Sequence, residues 1–98
     1  MPTYVTLLNW TDQGIRNYKD TAKRADAFAA GVQKLGAKLL TIYWTVGPYD
    51  LMAVVEAPDD ETATAALLQL GGVGNVRTTT LRAFGQEEMA RIIAKAAG

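Results

Sequence analysis

Neither cysteine nor histidine occurs among the 98 residues. Their absence removes disulfides, thiol nucleophiles, imidazole bases and the usual zinc and copper ligands in one step. Only oxygen-ligand metals remain, and the acidic residues are scattered apart from Asp59-Asp60-Glu61. That run reads better as a helix start than as a metal cage, so neither a metal nor a cofactor is expected. Charge of one sign is lacking too: ten Lys and Arg balance ten Asp and Glu. Lys23-Arg24 is the longest basic run, which leaves nothing to neutralise a phosphate backbone and argues against a nucleic-acid partner. No apolar run approaches the ~20 residues of a membrane span. Met1-Pro2-Thr3-Tyr4 passes directly into a strand pattern without the basic and apolar segments of a signal peptide, which makes the cytoplasm the expected location.

What is present suits one globular domain over residues 1–98, with 49% hydrophobic and 20% charged residues. Tyr4 to Trp10 has the aromatic and branched content of a strand, and Thr11-Asp12-Gln13-Gly14 breaks it. Ile15, Tyr18, Ala22, Ala25, Phe28, Ala29, Val32 and Leu35 then recur at helical spacing. This predicts a helix over much of 15–35, interrupted near Asp20-Thr21 and stopped by Gly36. Lys38–Val46 and Leu51–Ala57 read as an antiparallel hairpin around Gly47-Pro48-Tyr49-Asp50. Asp59 or Asp60 is placed to cap a helix over 62–70, with Gly71, Gly72 and Gly74 as its stop rather than as a phosphate nest. Val76–Arg82 is a fourth strand, and 86–97 a last helix with Met89, Ile92, Ile93 and Ala96 on one stripe.

The order βαββαβ predicts an α+β, ferredoxin-like antiparallel sheet with both crossover helices on one face and an added C-terminal helix. The other face is not polar. Strand two alternates Leu40, Ile42, Trp44 and Val46 against Leu39, Thr41, Tyr43 and Thr45; strand three sets Leu51, Ala53 and Val55 against Met52, Val54 and Glu56. One layer of helices covers only one side. An exposed patch on the order of 400 Å² is large for a monomer, and at ~25 cal/mol per Å² its burial is worth about 10 kcal/mol as an upper bound. A homodimer sharing this face is therefore expected, with a higher oligomer as an extension. The competing arrangement folds the terminal helix back over the face.

The hairpin Gly47-Pro48-Tyr49-Asp50 resembles the Gly, Tyr, Asp signature of the GYD domain family, small bacterial and archaeal proteins. The strand leading into Thr11-Asp12-Gln13-Gly14 is similar to that family's opening, and Tyr49 through Asp60 to its centre. Gly74-Asn75-Val76-Arg77-Thr78 and Ala83-Phe84, with Glu88, are similar to its end. Pro48 and Gly85 depart from the pattern, stiffening the turn and weakening the last helix cap. The resemblance implies a dimeric α+β barrel, two sheets packed face to face around a cleft. It names no reaction.

The candidate catalytic residues are Asp50 and Tyr49. Asp50 has the position for a proton acceptor at a cleft mouth, and equally for a carboxylate that ties the turn. Tyr49 either donates its hydroxyl to a substrate or covers a core edge. Asn9, Trp44, Tyr43, Asn75 and Arg77 are the candidate ligand-binding residues. Asn9 is a polar group at a half-buried strand position and needs a partner. Tyr43 and Trp44 point to opposite faces, one to the helices and one to the shared side. Arg77, or Arg82, is the expected counter-charge for an anionic ligand; Glu56 of a second copy is the alternative partner of Arg77. Three functions remain: a small-molecule binding or accessory protein for an apolar or anionic ligand, a cofactor-independent oxygenase or isomerase with Asp50 as base and Tyr49 and Asn9 as donors, and a structural oligomer. For the enzyme, burial has to raise the Asp50 carboxyl by about 2 to 3 units.

Overall fold

The computed structural model describes residues 1–98 and gives the order β1 (Thr3–Trp10), α1 (Asp12–Arg16), α2 (Thr21–Lys34), β2 (Lys38–Trp44), β3 (Leu51–Glu56), α3 (Asp60–Val73), β4 (Val76–Ala83) and α4 (Gln86–Ala96). The first helical stretch is broken as its polar interruption predicts, but it begins earlier. Thr11, expected to be part of the break, is an N-cap: its hydroxyl accepts the Gly14 N–H at 3.1 Å and starts the short α1. A single 3-10 turn over Tyr18–Asp20 then leads into α2.

The four strands form one antiparallel sheet in the order β2-β3-β1-β4. On one face, Tyr4, Leu8, Leu51, Val55 and Val76 are buried beneath α2 and α3, with Val32, Ala63 and Ala66 pressed against them. The ferredoxin-like arrangement is as predicted. The barrel is not: β2 and β4 are unpaired edges, and the sheet does not close. Apolar side chains on a face require that something cover it, but say nothing about hydrogen-bonded closure. Four strands with the ordinary twist are too few to return on themselves.

The alternation assigned to β2 fails at one point. The pairing with β3 shifts between Leu39 and Thr41, a bulge centred on Leu40. The extra residue puts Leu39, rather than Leu40, on the helix side with Ile42 and Trp44. α3 also runs past Gly71 and Gly72 to Val73, and stops only at Gly74, whose φ of +94° suits glycine.

The uncovered face carries two apolar rows across the sheet, Tyr43-Met52-Leu7-Thr79 and Thr41-Val54-Val5-Leu81. Tyr43 and Leu81 are 62% and 51% exposed. α4 does not fold back over these rows: Tyr43 and Leu81 on them stay exposed, and the molecule reaches 52 Å in its longest dimension. Its Met89 and Ile93 face solvent.

Candidate functional site

At the top of β1, three predicted residues come together. The Asp50 carboxylate accepts the backbone N–H of Trp10 at 2.9 Å, and the Asp50 N–H donates to the Leu8 carbonyl at 2.8 Å. The β2–β3 turn is thereby fastened to the end of β1, rather than to itself as the turn chemistry suggested. Asn9 donates its amide to the Pro48 carbonyl at 2.7 Å, a main-chain partner across the same junction. Tyr49 is half-buried beside Asp50, and its carbonyl accepts from the Thr45 hydroxyl at 2.6 Å. These bonds use the Asn9 amide and one Asp50 oxygen to hold three strand ends in place.

The remaining candidates are dispersed. Trp44 turns to the helix side, where its indole N–H donates to the Thr21 hydroxyl at 2.9 Å, while Tyr43 lies on the uncovered face. Arg77 is exposed on that same face, opposite Asn9. Glu56 sits at the diagonal corner, opposite Thr3, so the two do not pair within one chain. Arg82 is occupied: it lies over the Phe84 ring at 4.4 Å and pairs with Glu88 at 3.2 Å. Asn75 accepts from the Gln13 side chain at 3.0 Å, and its carbonyl takes the Thr11 N–H at 3.1 Å. Gly14 packs against that peptide so closely that a Cβ on it would meet the Asn75 oxygen at 1.9 Å.

A partly open cavity lies elsewhere, on the helix side, with a volume of about 240 Å³. Leu8, Trp10, Ile42, Leu51 and Val76 of the sheet line it from below, with α2 and α3 on either side. Arg24, Gln69 and Asn75 are among its few polar neighbours. Of the predicted ligand-binding residues, only Asn75 reaches it. Sequence periodicity marks Phe28 and Val32 as core and does not reveal that the helices above them part. The available signal was Gly31, a glycine inside a helix otherwise rich in alanine.

Three ionisable groups depart from their ordinary values. The Tyr4 phenol is raised, chiefly by its hydrogen bond to Asp60 and then by burial. Asp59 caps α3 by accepting the Thr62 N–H at 2.8 Å, which holds its carboxyl low. Glu88 is lowered first by the Gly85 N–H and then by Arg82; reaching back to that N–H, it supplies the cap that a glycine at 85 lacks.

The sequence profile of the GYD domain matches residues 4–93. The chain belongs to the GYD domain family. This GYD domain is 34% identical over 85 residues to the glutamine synthetase and cystathionine beta-lyase binding protein of Thermus thermophilus, covering 86% of this chain and 90% of that one. The crystal structure of TTHA0845, also from Thermus thermophilus, superimposes with a TM-score of 0.57 at 28% identity, over 87% of this GYD domain and 95% of that protein. MtbAldR shares the fold, with a TM-score of 0.60 at 13% identity, over 87% of this chain and 54% of that longer one.

Proposed function

We propose that this GYD domain is an accessory protein that acts as a homodimer and holds a metabolic enzyme, rather than turning over a substrate itself. The similarity to a glutamine synthetase and cystathionine beta-lyase binding protein, extending over 90% of that protein, carries this reading. A protein that holds another needs exposed apolar surface with a polar rim. Two such surfaces remain uncovered in one chain: the open sheet face and the stripe on α4, where Met89 and Ile93 are exposed beside a half-buried Ile92.

The sheet face suits a second copy. Its apolar rows are flanked by Arg77 and Glu56 at diagonally opposed corners, and a two-fold axis between two copies that runs across this diagonal brings unlike charges toward each other. The α4 stripe is then left for the enzyme, with Met89 and Ile93 exposed on it.

The test uses purified glutamine synthetase and cystathionine β-lyase from the same organism, with the GYD domain immobilised for biolayer interferometry. Binding of at least one enzyme is expected, and Ile93→Glu should weaken it by about tenfold or more while the dimer persists. Failure of both enzymes to bind the unaltered protein overturns the reading.

A further inference from the structure

The cavity between α2, α3 and the sheet has three features that packing alone does not explain. The first is an unmet donor. The Trp10 indole lines the cavity, and its Nε1–H is buried without an acceptor anywhere in the chain. Buried donors are nearly always paired, and this one is closed to the cavity as well as to solvent, so a partner in the cavity meets it only when the indole turns. Trp44, the other tryptophan, meets this requirement with Thr21.

The second feature is Gly31. It lies in the middle of α2 and lines the cavity, its backbone has ordinary helical geometry, and a Cβ there would touch nothing within 4 Å. Glycine weakens a helix relative to alanine, and no close contact forces it here. Its effect is to keep the space open.

The third is the charge of the lining. Arg24 is the one charged residue around the cavity, and it forms no ion pair; it donates only to the backbone carbonyls of Asn17 and Gly14, at 2.6 and 3.2 Å. No aspartate or glutamate lines the space. A carboxylate finds a counter-charge and donors here, whereas an ammonium finds no anionic partner.

The geometry points to a binding site for a small apolar carboxylic acid without an amino group, its ring or chain over Phe28, Leu70 and Ile42 and its carboxylate toward Arg24, where a turn of the Trp10 indole brings Nε1–H to it. A dry cavity of roughly 150 Å³ holds benzene, so 240 Å³ admits about ten non-hydrogen atoms. This site is independent of the surfaces assigned above to a second copy and to an enzyme.

The probe is 3-phenylpropionate, titrated into ¹⁵N-labelled protein while the two indole N–H resonances are followed. Saturable movement of the Trp10 resonance is expected, with that of Trp44 largely unmoved. Gly31→Leu should fill the cavity and abolish the response. Arg24→Gln should weaken 3-phenylpropionate by about tenfold and leave the neutral 3-phenylpropanol within about twofold. If Gly31→Leu does not fold, transferred contacts between the probe ring and Phe28 or Leu70 in the unaltered protein decide the location. The site is disproved by an unmoved Trp10 resonance at millimolar probe, by binding that survives the filled cavity, or by phenylalanine binding as tightly as 3-phenylpropionate.

Discussion

Asp50 illustrates how one side chain serves a fold before it serves chemistry. Its carboxylate and its N–H clamp the β2–β3 turn to the last residues of β1, on the partly buried side of the junction. Asp50→Ala leaves the Trp10 N–H without its acceptor, and should destabilise the protein by about 1–3 kcal/mol in urea unfolding. Neutral stability within a few tenths of the parent would show that the clamp is dispensable. The need for partners at Asn9 and Asp50 was legible from residue type and strand position. Which groups would meet that need was not, because it depends on β1 lying between β3 and β4 and delivering its end to a distant turn. The cavity was illegible for a related reason. Trp10, Phe28 and Val32 have the spacing of ordinary core, and only the separation of two helices in space turns their surfaces into walls.

At the scale of elements, the ends of the helices decide how the protein responds to acid. Asp59 and Glu88 both hold carboxyls below their ordinary range through backbone N–H bonds at the starts of α3 and α4. A carboxyl depressed in the folded state contributes stability above its unfolded value, near pH 4, and that contribution disappears as pH falls through the depressed value. The melting temperature should therefore drop below about pH 4 as both helix starts lose their anionic caps. Asp59→Asn, which still caps, should leave stability at neutral pH nearly unchanged and flatten part of the acid limb in circular dichroism; an acid limb identical to the parent's would assign the loss to other carboxyls. β1 and β3 were readable because their alternation is unbroken. β2 was misread beyond Leu39 because a bulge shifts the period by one without a glycine or proline to announce it. α1 escaped notice because five residues hold no amphipathic period, only a cap.

For the whole molecule, the dominant fact is a sheet covered on one side only. Residues such as Leu7 and Val54 stand at the centre of the bare side, in rows that continue onto Tyr43 and Leu81 at the flanks. A Leu7→Glu substitution places a charge where a second copy is proposed to pack, and should convert a dimer to a monomer in sedimentation equilibrium while the melting profile of the single chain survives. A sedimentation profile unaltered by the charge would move the contact elsewhere. The sequence made the apolarity of both faces plain. It did not carry the sheet's closure, since hydrophobicity records a demand for cover and leaves the geometry of that cover open.

The bulge at Leu40 has one further consequence. β2 is an outer strand, and an outer strand is a template on which stray chains can align and grow into fibrils. The extra residue breaks the even spacing of its free N–H and C=O groups, so an incoming strand in step with Lys38 is out of step by Ile42. A protein with so much oily surface is thereby kept from lengthening sideways along that margin.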